Sequence, residues 1–376
     1  MPTLHKFAVL VIGAALLFGL LLPSQKKEGD RTTVVQPAAQ GTDAVPAGVP
    51  SGGPTTSATP GGKPSAAPST PPPPPRPAAE AAIQAKANEL GQVPVIMYHR
   101  ILAKGGSEID RTPAELRAEL ELLAKGNYVP VTAAEFVQGR IDIPAGAHPV
   151  VLTFDDGNPT QFALDASGNP APDTAVAVLM ETQAKYPAFR PVATFFVNKD
   201  PFQLGEEANA GVTWLVQHGF EIANHTYTHP NLAGMPKSKV ESELAKVEEV
   251  VKKVSGSPSV TLAYPFGNAP RSKDKDNEFV LKGDTWEFQG VFLAGWNPSV
   301  SVFSKEFDRS RISRIRSEGK VKKEGCDKFC STAWLEWLDK NPDKRYTSDG
   351  DPAVVTAPSG SISQLAPTFA DRARVY

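Results

Sequence analysis

Beyond residue 91 the chain alternates short apolar, β-rich runs with longer stretches of helical period. The runs at 94–98, 150–154, 193–198, 221–224, 261–264, 291–295 and 311–315 read as strands. The stretches 113–125, 174–185, 206–218, 237–254 and 275–289 fill the gaps with helical spacing of their apolar positions. Thr112 before Pro113, with Glu115 in the first turn, supplies a helix start. Seven strands interleaved with helices predict an α/β fold around a parallel sheet. The polar residues gather at one end of these strands: His99 after the first, Asp155 and Asp156 after the second, Asn198 at the end of the third and His225 after the fourth. Residues 265–267 follow the fifth strand and Trp296 the sixth. An α/β barrel collects its chemistry at the carboxyl ends of its strands, and seven strands instead of eight predict a distorted (β/α)7 barrel, an incomplete relative of the TIM barrel.

The pattern before residue 91 is different. A basic start is followed by an apolar run over residues 7–22 and then by Pro23, Ser24, Gln25, Lys26 and Lys27. This reads as an export segment over 1–23. No Ala-x-Ala-like site follows the run, which favours an uncleaved N-terminal membrane anchor over a cleaved signal peptide and places the body outside the cytoplasm. Residues 24–90 read as a linker, rich in Pro, Ala, Gly, Ser and Thr, with five prolines at 71–75 and a short helical pattern over 78–90. Such a stretch buries too little apolar surface to offset its ordering entropy and is expected to be disordered. The folded domain is expected over 91–320. Residues 321–376 are expected to hold a helix around 334–338, packed on the barrel, and a tail that is partly disordered after Asp351.

The chain has 376 residues, 36 prolines and a formal net charge of −2. Its interspersed charges form no basic stripe, which argues against a nucleic-acid partner and for a neutral or weakly charged substrate, and nothing points beyond a monomer. The two cysteines, Cys326 and Cys330, lack the further ligands a structural zinc site needs; they form either a local disulfide or a pair of small buried residues.

Two segments carry chemistry. Val150-Val151-Leu152-Thr153-Phe154-Asp155-Asp156-Gly157 is a buried strand ending in adjacent carboxylates, which repel unless a cation or a proton relieves them. Glu221-Ile222-Ala223-Asn224-His225-Thr226-Tyr227-Thr228-His229-Pro230 runs into a polar turn, where one helical turn would bring two imidazoles to the same side. Taken singly, each has a plain alternative, a surface Asp-Asp-Gly turn and two surface histidines. Together on neighbouring strand ends, a carboxylate and two imidazoles leave positions open for water and substrate on a divalent metal.

Thr153-Phe154-Asp155-Asp156-Gly157 and His225-Thr226-Tyr227-Thr228-His229-Pro230, in this order, resemble the first two motifs of the polysaccharide deacetylase family, the NodB homology domain of carbohydrate esterase family 4. Val95-Ile96-Met97-Tyr98-His99-Arg100 and Ala193-Thr194-Phe195-Phe196-Val197 add to a likeness covering about residues 92–316. The resemblance implies metal-dependent removal of N-acetyl groups from an N-acetylglucosamine-type polysaccharide. It implies Asp155 as general base and Asp156, His225 and His229 as ligands of one divalent ion, zinc or else cobalt, nickel or manganese. A tetrahedral oxyanion would be met by a backbone N–H of the Tyr264-Pro265-Phe266-Gly267 turn, and because proline has none, by Phe266.

The chain departs from the family pattern twice. The arginine usual two residues before the proline of the third motif is Ala263 here. Arg100, Arg311 and Arg314 lie near strand ends and are candidates to replace it, each equally an ordinary ion-pair partner. No histidine follows His229, although the family's last motif supplies one as general acid. His99 is the candidate at a strand's carboxyl end, against a structural hydrogen bond; metal-bound water or another acid is the alternative donor. His5, His148 and His218 are read as structural. The long segment after Gly157, beginning with Asn158, is expected to lie over the metal end and set substrate choice. Trp296 is either an apolar wall for a sugar or acetyl group or a core residue. Two other functions share these features, a catalytically silent glycan-binding barrel and a metal-dependent esterase or amidase on a non-glycan substrate.

Overall fold

In chain order the strands are β1 (Arg76–Pro77), β2 (Val95–Tyr98), β3 (Tyr128–Val131), β4 (His148–Asp156), β5 (Thr194–Val197), β6 (Glu221–Asn224), β7 (Thr261–Ala263), β8 (Gly290–Phe292), β9 (Ile315–Arg316), β10 (Val355–Ala357) and β11 (Ala373–Val375). They come from a computed structural model that describes residues 74–271, 277–317, 319 and 325–376. The export segment expected over 1–23 and most of the linker lie outside the described residues. Among the described residues, no helix is long and apolar enough to cross a membrane.

A curled, wholly parallel sheet runs β8-β7-β6-β5-β4-β2-β9. Its two edges meet through the residues leading into β9. Ile312 bridges to Phe292, with Ile312 N donating to Val291 O and Leu293 N to Ile312 O, both at 2.8 Å, while Ile315 and Arg316 pair with Ile96 and Met97. The result is the distorted seven-position barrel that the strand count predicts. Its longest strand, β4, is shared lengthwise: β3 pairs along His148–Val151 and β5 along Thr153–Asp156.

Alternation sorts the strand residues into two cores. Ile96, Tyr98, Leu152, Phe154, Phe195, Val197 and Ile222 face outwards and pack on helices through Leu116, Leu120, Val176, Leu179, Val212, Leu215, Val247 and Val251. Val95, Val151, Phe196, Ala223, Ala263 and Phe292 face inwards and fill the barrel. Continued two residues at a time, the inward set reaches Thr153 and Asp155 on β4 and His225 just beyond β6. Strand parity thus aims the chemistry into the mouth.

Helices form at Pro113–Lys125, Ala175–Lys185, Ala208–Gln217 and Lys237–Ser255, close to the predicted spans. The first opens with a capping box between Thr112 and Glu115. The helix expected over 275–289 is reduced to Glu278–Leu281, with part of its predicted start outside the described residues. Gly283 N donates to Trp286 O, and Lys282 pairs with Glu287, so the Gly283-Asp284 turn reverses the chain where a helix would continue. Strand β3 and the helix Ala133–Val137 have no counterpart in the predicted elements. Pro130 disguised the strand, although a second capping box, Thr132 with Glu135, marks the helix start.

Both ends of the body differ from expectation. β1, β11 and β10 form a small parallel sheet, so residues 76–77 pair with 374–375. Ala82, Ala87 and Leu90, within the segment read as linker, are buried. The tail after Asp351 is built in through Val355, Ala357 and Ala373. Their anchor is Glu89, which accepts hydrogen bonds from Tyr346 Oη at 2.9 Å and Thr356 N at 2.8 Å. The helix Ser331–Lys340 packs Leu335 and Leu338 inwards, and Cys326 and Cys330 are joined in a disulfide.

Candidate metal and catalytic site

Adjacent strand residues normally point to opposite faces, yet Asp155 and Asp156 both serve the barrel mouth. The reason is backbone conformation: Asp156 has φ +80°, which takes it out of the β region and swings its carboxylate back. Thr226 (+64°), His229 (+55°) and Phe266 (+58°) share the left-handed region. Each costs an L-residue about 1 kcal/mol or more, and their clustering around one mouth is how strain collects at sites of function. Gly157 follows with φ +60°, and a Cβ there would press on Val197 at 3.1 Å.

The segment 225–229 makes no helical turn; the expected turn is replaced by an irregular loop pinned from two sides. Asn198 Nδ2 donates to the carbonyls of His225 and Thr226, both at 2.8 Å, while Glu243 accepts from Thr228 N at 2.7 Å and Thr228 Oγ1 at 2.9 Å. The loop still brings the imidazoles together, their centroids 4.9 Å apart. One ligand atom each from Asp156, His225 and His229 lie within 4.8 Å of one another.

The donor set of these three residues suits a cation. His225 is buried, and burial holds its imidazole below the usual range despite the opposing pull of Asp155 and Asp156. A neutral ring facing the Ala263 carbonyl, 2.8 Å from Nδ1, must carry its proton there. The unprotonated Nε2 then lies 3.6 Å from Asp156 Oδ1, with His229 Nε2 3.4 Å from the same oxygen. Two imidazole nitrogens converging on one carboxylate oxygen are a nitrogen and oxygen donor set that suits a divalent ion, so the three residues fit the metal that the family implies.

Asp155 is held apart from this trio in a different way. Arg314 grips it with two hydrogen bonds, Nη1 to Oδ1 at 2.7 Å and Nη2 to Oδ2 at 2.8 Å. The guanidinium also donates to Thr153 Oγ1 and the Leu293 carbonyl and lies over the Phe196 ring. Burial alone would raise the Asp155 pKa; the adjacent Arg314 charge outweighs it and holds the carboxyl well below the ordinary range. Of the three candidate arginines, Arg314 is the one that bonds to Asp155. Arg100 instead pairs with Asp110 at 2.7 Å, and Arg311 is exposed. Parity would have singled out Arg314: Ile312 faces the interior, so residue 314 does too.

His99 lies at this end as well. Its ring keeps some exposed surface but is closely packed by protein, and this burial pushes its pKa down to about 4 against the attraction of Asp155. It is thus neutral near pH 7. Its Nδ1 has no hydrogen-bond partner among the described residues. Gln161, which the sequence reading did not single out, ties the two strand ends together, donating through Nε2 to the carbonyls of His99 (3.0 Å) and Asp155 (2.6 Å).

The remaining candidates are placed unevenly. Phe266 is exposed and meets the His229 ring edge to face at 4.7 Å. In its turn the Tyr264 and Gly267 N–H groups are engaged by Phe292 O and Tyr264 O. The Tyr264 side chain lies elsewhere, buried with Leu232, Val240 and Leu244 outside the barrel, because it shares the parity of Leu262. Asn158 Oδ1 accepts from Thr160 N and Thr160 Oγ1, shaping the loop after Gly157. Trp296 is 57% exposed and so is no core residue. His148, at the opposite end of β4, is bonded to the Tyr346 carbonyl, and His218 stacks on Trp214; His5 lies outside the described residues.

Residues 142–279 match the family described as polysaccharide deacetylase, a span that includes the three convergent residues and Asp155 but neither His99 nor Arg314. The chain is 25% identical over 188 residues to a peptidoglycan-N-acetylglucosamine deacetylase of Bacillus cereus, covering 48% of this chain and 60% of that one. It is 30% identical over 127 residues to a chitooligosaccharide deacetylase of Sinorhizobium fredii, covering 32% of this chain and 48% of the relative. The chain thus spans from about half to three fifths of these curated relatives. Among solved structures, Streptococcus pyogenes deacetylase PplD in complex with acetate aligns at 17% identity and a TM-score of 0.48, covering 64% of this chain and 98% of that one. The paired aspartates and the two histidines all lie in the matched span, and the family match and the curated relatives agree: residues 142–279 are similar to the polysaccharide deacetylase family, the NodB homology domain.

Proposed function

We propose that this protein is a metal-dependent hydrolase that removes N-acetyl groups from an extracellular or cell-wall polysaccharide of N-acetylglucosamine type. The observation that carries the reading is the pairing of two units: Asp156, His225 and His229 converging within 4.8 Å, and Asp155 beside them, fixed by Arg314. A divalent ion, with zinc the expected one, supplies Lewis-acid polarisation of the acetamide carbonyl and acidifies water when bound. Asp155 is the base. Arg314 keeps it charged and oriented, and its Oδ2 lies 3.9 Å from His225 Nε2, on the side of the ligand trio. The Phe266 N–H meets the oxyanion, since its neighbours' N–H groups are engaged and Pro265 has none. His99 serves the leaving amine. Because it rests neutral, it has to receive the proton taken from water before passing it on.

The same reading places the domain outside the cytoplasm behind an N-terminal anchor. The test is acetate release from N-acetylglucosamine polymers and peptidoglycan by the zinc-loaded protein. Release should stop with a chelator, and Asp155→Asn should lower kcat by about 10²–10⁴-fold while zinc stays bound. No acetate from any such polymer would overturn the proposal.

A further inference from the structure

Segments outside the ring of strands bring aromatic rings to the carboxyl end of the barrel. Trp296 stands three residues beyond Leu293, whose carbonyl is fixed by the same Arg314 that holds Asp155. Its exposed ring meets Phe329 edge to face at 5.6 Å. Phe329, 41% exposed, sits in the short helix Cys326–Phe329, inside the Cys326–Cys330 disulfide loop, and Cys330 is bridged to Arg316 at the end of β9. In the next helix, Ser331–Lys340, Leu335 and Leu338 point inwards. Trp334 and Trp337, also three apart, occupy the adjoining stripe with their rings edge to face at 5.6 Å. Trp334 Nε1 donates to the Trp296 carbonyl at 2.8 Å, tying the two segments into one patch.

The segment that carries Trp296 packs on the turn beside the site. A Cβ on Gly267 would stand 2.5 Å from Ala294 N, so the turn that sets Phe266 against His229 lies directly on the segment leading to Trp296. Phe266, against His229, and the cluster of Trp296, Phe329, Trp334 and Trp337 therefore stand on segments that pack on each other. Apolar surface left open in one contiguous patch marks a binding surface. The rings present flat, rigid faces at small entropic cost, while the exposed Glu336 and Lys340 supply polar groups along the same helix. A pyranose ring has the matching chemistry, a face of C–H groups edged by hydroxyls.

We propose that Trp296, Phe329, Trp334 and Trp337 form a subsite for sugar units flanking the one that carries the reacting acetyl group, which makes the protein select chains over short fragments. This rests on the deacetylase reading. Binding is tested separately from turnover, by calorimetry with the full chain and β-1,4-linked N-acetylglucosamine dimer and hexamer as probes. The hexamer should bind the wild type about tenfold more tightly than the dimer, and in Phe329→Ala/Trp337→Ala that ratio should fall about fivefold. Unchanged circular dichroism and melting temperature show that the variant is folded; the single Trp337→Phe, which keeps a ring, should restore most of the ratio. The inference is overturned if the ratio stays the same in the folded double variant. It is equally overturned if the substitutions leave sugar binding alone and instead dissociate a dimer in sedimentation, which would make the patch a contact between copies. Absence of acetate release with the length preference intact would sink the enzymatic reading and leave the subsite standing.

Discussion

Replacing Arg314 by methionine isolates the guanidinium that grips Asp155. Both partners are enclosed, with side-chain exposures of 0% for Arg314 and 4% for Asp155, so no water takes over when the guanidinium is removed. Breaking a buried pair from one side leaves an uncompensated charge and costs about 3–5 kcal/mol. The Leu293 carbonyl also loses a 2.7 Å donor, worth about 1 kcal/mol within that range. The pH dependence gives a sign that packing loss alone would not. In the wild type the folded pKa of Asp155 is depressed, so its stabilisation is present above the unfolded carboxylate value and is lost as pH falls through the folded one. Without Arg314, burial dominates and the folded pKa rises above the unfolded one. Stability is then greatest in acid and declines as pH rises towards the new value. Urea denaturation of metal-free protein should therefore show a deficit of about 3–5 kcal/mol at pH 7 that narrows at pH 5. Pairing the variant with Asp155→Asn should recover part of the loss. A deficit below about 1 kcal/mol, or one that does not change with pH, would refute the claim that Arg314 compensates Asp155.

Other expectations follow from the same contacts. Asp156→Asn and His229→Ala should each weaken zinc binding by about 100-fold or more in chelator competition, with less effect on folding than Arg314→Met; unchanged affinity would exclude the trio as ligands. Glu89 is raised from 4.5 to about 8 by burial, with Asp349 adding to it, so its protonated form is favoured on folding and stability is lost as pH rises from about 4.5 to 8. Glu89→Gln should flatten that slope in urea titrations; an unaltered slope would show that Glu89 titrates normally. Reducing the Cys326–Cys330 disulfide, which closes a short loop, should cost only about 2 kcal/mol and should loosen Phe329 more than the barrel. Hydrogen exchange before and after reduction would reveal it, and protection lost from β4 instead would contradict the local picture.

Local pattern determined much of this protein. Short apolar runs and helical spacing were enough for β2 and β4 to β8 and for four helices, whereas the run read at 311–315 becomes strand only at Ile315. Asp155, Asp156, His225 and His229 were legible because each motif is contiguous in the chain. Pattern failed where a local signal competed with long-range pairing. Pro130 hid β3, whose partner β4 begins 17 residues after β3 ends. The Gly283-Asp284 turn cut a helix that periodicity extended. The polar and proline-rich character around residues 74–90 and after Asp351 suggested disorder, but these segments, nearly the length of the domain apart, pair as β1 with β11.

Only the tertiary structure decided which arginine serves Asp155, because the charge that stabilises a carboxylate depends on distance and burial, not on sequence separation: Arg314 is 159 residues away and 2.7 Å from it. The same holds for the positive φ values that turn Asp156 and His229 towards one mouth, and for the rings of Phe329, Trp334 and Trp337 beside Trp296. The sequence names the groups that can hold a metal and take a proton. The curled sheet determines which of them meet.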